Sequence, residues 1–177
     1  MKTFHFKEPF FLSSPHKTKI FDSENRLIGF VKKVYTKKTH RYISLLMDKL
    51  YFNYVFINLN GEELYFISNI IENKWDFIKS RWIFKNSIEN NEILIKNATK
   101  IKTNIRFEGE YNKKNILIKR DFGDNKIHIY YDNLEISEIH FTPHKIPREV
   151  TAIIKKENVL PNEFIFFIYF IYRMYSM

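Results

Sequence analysis

The residues of this chain best suited to chemistry are cations set close together. Lys32, Lys33, Lys37, Lys38 and Arg41 put five positive charges within ten residues, interleaved with Tyr35, Thr36, Thr39, His40 and Tyr42. Ammonium and guanidinium groups at a strand-to-loop transition can grip phosphates. Near an anionic surface each contributes about 1 kcal/mol. Shorter basic pairs recur at Lys113-Lys114, Lys119-Arg120 and Lys155-Lys156. The plainer reading is a solvated loop whose charge keeps an aromatic-rich chain in solution. Interleaved tyrosines also suit stacking of single-stranded bases. No recognition-helix or ribonucleoprotein signature accompanies them, so nucleic acid is disfavoured as a partner.

Other chemistries lack their parts. Cys is absent. That excludes a disulfide framework, a thiol nucleophile and thiolate zinc sites, and it fits a reducing compartment. His140 and His144 are four apart, but Pro143 interrupts the helix face a metal pair would need. Asp121-Phe122-Gly123-Asp124-Asn125 has too few carboxylates for a calcium loop and reads as a hairpin turn. Glu108 and Glu110 share a strand face, as a catalytic pair could, yet fit a solvated wall. Ser13-Ser14 has no nucleophile-elbow context, and no phosphate loop is present. No metal and no cofactor are expected, and a non-enzymatic role is favoured.

Lys plus Arg total 29 against 20 Asp plus Glu, a formal charge of +9. Such a balance points to an anionic partner, a phospholipid surface or a nucleic acid. A Lys-, Asn- and Ile-heavy composition is also what AT-biased coding DNA produces. Met1 to Glu8 holds no apolar h-region and no small-residue cleavage site, so no secretory leader is expected.

The elements that must position these residues read as strands. Ile105–Tyr111 alternates apolar and charged residues with period two. Glu92–Lys96, Asn115–Lys119, Lys126–Tyr131 and Glu149–Lys155 behave alike. In Leu134–Phe141 the phase slips after Ile136, which predicts a bulge or a break. The first half adds Pro9–Ser14, Thr18–Asp22, Leu27–Tyr35, Tyr54–Leu59, Glu63–Ser68 and Lys74–Ile78. Arg41–Phe52 carries apolar residues at helical spacing and is open to a short helix. Asn60-Gly61 is a hairpin signal, and Asn112–Asn115, Phe122–Asn125, Tyr131–Asn133 and Ser87–Asn91 are turns. Ile20–Val31 can be laid over Phe56–Ile67 as a faint internal repeat of strand, polar turn and strand. Trp75 and Trp82 are placed at the core edge. No linker divides the chain, so residues 1–177 are expected to form one domain.

The last stretch is different. Phe164 to Tyr172 is unbroken apolar and aromatic sequence, opened by Pro161 and Glu163 and closed by Arg173, which suits a helix and its dipole. A helix apolar all round must be enclosed. At ~1.5 Å per residue it is roughly 20 Å long, short of a bilayer core of about 30 Å. Burying nine such side chains contributes roughly 15–25 kcal/mol before entropy. The helix is therefore placed inside the protein. A membrane-inserted tail and an oligomer interface are the alternatives.

Strands followed by a hydrophobic C-terminal helix resemble the tubby C-terminal-like superfamily, which includes tubby domains, phospholipid scramblases and LURP-one-related proteins, small bacterial members among them. The local matches are Thr18–Lys32, similar to the family's opening hairpin, and Pro147–Ile154 leading into the apolar tail. The resemblance implies a mainly β fold: a closed antiparallel barrel of about twelve strands around a central C-terminal helix. It also implies a non-enzymatic domain that engages anionic phospholipid head groups, or a protein, at the membrane surface. Lys32, Lys33, Lys37, Lys38 and Arg41 are the candidate lipid- or phosphate-binding residues. A structural or regulatory protein-interaction domain is the first alternative, and a hydrolase with a site assembled from distant residues the second. With no cysteine and no leader, the expected location is the cytoplasm, peripheral to the inner face of the membrane.

Overall fold

Apolar and polar side chains alternate along most of the chain, and a computed structural model shows the resulting strands closed upon one another. It describes residues 1–9, 16–35, 53–71, 80–87, 91–101, 103–143 and 145–176. Among the described residues there are twelve strands: β1 (Lys2–Lys7), β2 (Thr18–Asp22), β3 (Leu27–Lys33), β4 (Asn53–Ile57), β5 (Glu63–Ile70), β6 (Arg81–Asn86), β7 (Glu92–Asn97), β8 (Ile105–Tyr111), β9 (Lys114–Arg120), β10 (Lys126–Tyr131), β11 (Leu134–Phe141) and β12 (Glu149–Ile154). Each pairs antiparallel with its sequence neighbours, and β1 pairs with β12 from Lys2↔Ile154 to Lys7↔Glu149, closing the barrel. Closure leaves the sheet no free edge.

The expected strands of the second half all form, and the slip in Leu134–Phe141 is a bulge. Ile129 faces Ser137 while Tyr130 faces Glu135, so Ile136 has no opposite number. Two strands escape the sequence reading. Phe4 and Phe6 alternate with His5 and Lys7 to make β1, which ends before Pro9. Pro9 lies past the end of β1, and the rest of the expected strand Pro9–Ser14 lies outside the described residues. β6 is the other. Its Trp82 is fully buried rather than at the core edge. Arg41–Phe52, Lys74–Ile78 and Trp75 lie outside the described residues.

The faint repeat corresponds to two matching hairpins. Both are bulged at the equivalent step, Ile20/Phe21 and Phe56/Ile57. In each turn the backbone N–H of Asp22 or Asn58 donates to the carbonyl four residues on, at 3.0 Å. The side chain of Asp22 or Asn58 accepts from the N–H of that same residue at 2.9 Å. The third position after it takes positive φ, 60° at Asn25 and 87° at Gly61. Gly29 is needed beside this bulge, since a Cβ there would stand 2.7 Å from the Ile57 carbonyl oxygen.

An up-and-down barrel sends its connections alternately to two ends. The turns after β2, β4, β6, β8 and β10 lie at one end and are short. Asn112-Lys113 and Asp132-Asn133 are two-residue turns with all four φ values positive, the twist that suits adjacent strands. The connections after β1, β3, β5, β7, β9 and β11 lie at the other end, and several are long. The C-terminal helix, Asn162–Tyr175, enters at the short-turn end and runs up the bore, with Phe164 to Tyr172 all buried. Its rings meet strands around the circumference. Phe166 packs against Phe4 of β1 at 5.2 Å, Phe170 stacks on Tyr54 of β4 at 4.8 Å, Phe164 meets Phe84 of β6 at 5.3 Å, and Tyr172 meets Phe141 of β11 at 5.3 Å. The greasy tail is enclosed by the protein's own wall.

Candidate functional site

Along the strands the inward phase is apolar until it reaches the long-loop end, where it becomes charged. Phe4 and Phe6 lead to Glu8, Val31 leads to Lys33, Ile116 and Ile118 lead to Arg120, and Val150 is preceded by Arg148. The helix delivers Arg173 to the same level. These groups close the bore as a polar layer. The Tyr169 hydroxyl donates to Glu8 Oε2 at 2.7 Å and Arg173 Nε donates to the same oxygen at 2.9 Å. The Glu8 backbone N–H donates to the Arg148 carbonyl at 3.0 Å, and Arg148 Nε stands 4.0 Å from Oε1. Burial, with the Glu8 charge beside it, pushes the Tyr169 phenol far above its ordinary range, so it stays a donor. Arg120 lies over the Phe141 and Tyr172 rings at 5.7 and 5.6 Å, and Arg148 lies over Phe141 at 5.5 Å. Glu8 thus meets Arg173 and Arg148, Arg120 stands over the neighbouring rings, and the layer carries a positive surplus.

Beside this layer the wall opens. β1 and β2 pair only from Phe4↔Asp22 to Phe6↔Ile20, so the seam splays above Phe6. A groove of about 590 Å³ lies there, and His5, Lys7, His16, Lys17 and Lys19 supply its basic lining. Lys7 and Lys19 sit on outward positions of neighbouring strands. Thr18 pairs with Val31, which brings Lys17 alongside Lys32, and the Lys17 ammonium lies 5.2 Å over the Phe30 ring. Lys7, Lys17, Lys19 and Lys32 therefore form one basic flank across β1, β2 and β3. The carboxylates that line the groove are Glu8 and Glu149, the latter more exposed. The hydrogen bond from Lys145 holds Glu149 below the usual carboxylate range, and Lys7 reaches it at 3.6 Å.

The sequence-predicted residues separate on this frame. Lys32 is on the outer wall, whereas the alternation turns Lys33 inward, where it is buried with its ammonium 5.4 Å from the Tyr35 ring. Of that pair only Lys32 belongs to the flank. Lys37, Lys38 and Arg41 lie outside the described residues. The other basic pairs do not join the flank: Lys114 reaches Asp132 at the short-turn end, and Lys119 lies over Tyr130 on the wall. Lys7, Lys17 and Lys19 form no run of adjacent cations in the sequence. Only strand pairing gathers them. The inward Glu8, Arg120 and Arg148 were legible in principle, by extending the inward phase one step past the last apolar residue.

A second cluster lies on the outer wall. His128 Nδ1 is 2.7 Å from Glu135 and Nε2 is 3.0 Å from Asp124. Lys155 bridges Glu135 and Glu138 at 3.0 and 3.2 Å. Burial opposes the charged imidazole, but the two carboxylates outweigh it and raise the His128 pKa. His128, Glu135 and Glu138 offer metal-ligand atoms within 4.8 Å of one another. The Lys155 ammonium already occupies the position between the two glutamates, so the group reads as an ion-pair network.

An antiparallel barrel closed on itself and filled by its own C-terminal helix defines a distinct class of domain. The sequence profile described as the Tubby C-terminal like domain matches residues 4–176, and the chain belongs to that family. The X-ray structure of a protein from Arabidopsis thaliana matches with a TM-score of 0.50 at 11% identity, covering 96% of this chain and 88% of that one. At that identity the likeness shows the fold alone. Comparison with curated proteins gives no match. The family points to a binding domain for lipid or protein. Among the described residues no helix is long and apolar enough to cross a membrane.

Proposed function

We propose that this chain is a non-catalytic binding domain that engages anionic phospholipid head groups through the long-loop end of its barrel. One observation carries the reading. Lys7, Lys17, Lys19 and Lys32 converge on three adjacent strands beside a groove, next to a polar layer that holds Arg120, Arg148 and Arg173 with Glu8. Lys37, Lys38 and Arg41 follow Lys32 in the chain and are proposed to add to this binding. The bore is filled by the helix, so binding belongs to the rim and the outer wall.

Co-sedimentation with vesicles of phosphatidylcholine containing phosphatidylserine tests this. Binding is expected to be salt-sensitive. The combined change Lys17→Glu, Lys19→Glu and Lys32→Glu should weaken it at least a hundredfold, at about 1 kcal/mol per cation removed and a similar amount per anion added. Lys37→Glu with Lys38→Glu should weaken it further. No binding to anionic vesicles at low salt would end the reading and leave a protein partner as the ligand of this face.

A further inference from the structure

Among the described residues eight large apolar side chains are exposed: Leu94 on the wall, Met1, Leu59 and Leu134 at the short-turn end, and four at the long-loop end. The connections after β5, β7, β9 and β11 each present one: Ile71, Ile101, Phe122 and Ile146, exposed by 39, 61, 80 and 68%. All four connections lie at the long-loop end. Each tip has a cation as its neighbour in sequence or register. Lys100 precedes Ile101, Lys145 precedes Ile146, Arg120 holds the Phe122 turn through the Asp124 carbonyl at 2.7 Å, and Arg81 pairs with Ile70 beside Ile71. Three described carboxylates at this end are engaged by a cation, Asp121 by Arg106, Glu149 by Lys145 and Glu8 by Arg173, and Asp124 meets the His128 ring. At the short-turn end the exposed Met1, Leu59 and Leu134 have acidic neighbours, Glu157 for the first, Glu62 and Glu63 for the second, and Asp132 and Glu135, themselves paired with Lys114 and Lys155, for the third.

We infer that the barrel docks end-on, with Phe122, Ile146, Ile101 and Ile71 inserted into the interfacial region of an anionic bilayer. This rests on the lipid reading above and adds its geometry. The tips stand on separate loops around the rim, so they form no continuous patch that a compact protein partner would cover. Their arrangement suits a deformable planar phase, where apolar tips enter the acyl boundary while the neighbouring cations stay at head-group level. The barrel axis then stands along the membrane normal, with the short turns pointing away.

The absence of Cys makes the test clean. Single replacements Phe122→Cys, Ile146→Cys and Leu59→Cys are labelled with an environment-sensitive fluorophore and mixed with vesicles containing about a third phosphatidylserine. Labels at 122 and 146 should brighten and shift to the blue, while the label at 59 stays unchanged. The double variant Phe122→Ser, Ile146→Ser should keep its melting temperature and lose at least about tenfold in vesicle affinity, since burying either side chain is worth that much. Vesicle binding with silent labels at 122 and 146, or with a label at 59 that responds equally, would overturn insertion and leave head-group binding standing. A native protein that does not pellet with these vesicles overturns both.

Discussion

The two ends of the barrel are built to different rules. The short-turn end is local. Asn112-Lys113 and Asp132-Asn133 reverse the chain in two residues, and Asp22 and Asn58 tie their own turns with side-chain hydrogen bonds. The long-loop end is non-local. Glu8 meets Tyr169 and Arg173 across more than a hundred and sixty positions of chain. Its basic flank draws on three strands, and its exposed apolar tips come from four connections. One end holds the strands in register. The other brings together groups that only a closed barrel can gather. Loops on a rigid scaffold commonly carry function, and the proposed function places it on the long-loop set.

The largest effect should come from the long-loop end. Glu8→Ala leaves Arg173 and the Tyr169 hydroxyl without their acceptor in a buried layer whose Glu8 side chain is only 3% exposed. Breaking such a pair costs about 3–5 kcal/mol, to be read from denaturant midpoints with an unchanged slope. A loss below about 1 kcal/mol would mean that water takes the carboxylate's place and that the layer is not a structural lock. At the short-turn end the expected sign is opposite. Lys113 is held at φ 61° in a turn type that prefers Asn-Gly. Lys113→Gly relieves a left-handed strain of roughly 1–2 kcal/mol against an entropy cost of roughly 0.5–1. A gain of about 0.5–1 kcal/mol should follow, with vesicle binding unchanged. Loss of binding from this substitution would break the division of labour between the ends.

The same contrast explains what could be seen from the sequence. Local features were legible. β2, β8, β10 and β11 begin and end where period two says, the bulge at Ile136 announces itself by a phase slip, and the enclosed helix follows from nine apolar residues too short for a bilayer. β1 and β6 were missed because each alternates over only a few residues and carries charge at its ends. The site was legible only in part. Searching for runs of cations finds Lys32 and Lys33, but adjacent residues on a strand face opposite ways, and Lys33 turns inward. The partners of Lys32 are Lys17 and Lys19, brought alongside by the register of β2 on β3. A one-dimensional scan cannot rank them above any other lysine.

The smallest predicted effect concerns the wall that joins the two ends. His128 links the long-loop turn, through Asp124, to Glu135, which Lys155 ties to the segment after β12. Burial works against the imidazolium, yet both ring nitrogens meet carboxylates, so the folded protein holds its pKa above the ordinary value of 6.5. The sign follows from linkage. Folding favours the protonated form, so the full contribution is present below the unfolded pKa and fades as pH rises through the raised folded one. Partly exposed pairs of this kind contribute about 0.2–1 kcal/mol. The melting temperature of native protein should therefore exceed that of His128→Gln at about pH 6, with the gap narrowing toward about pH 9. Should the gap widen with pH, His128 is buried neutral and the network is held by Lys155 alone.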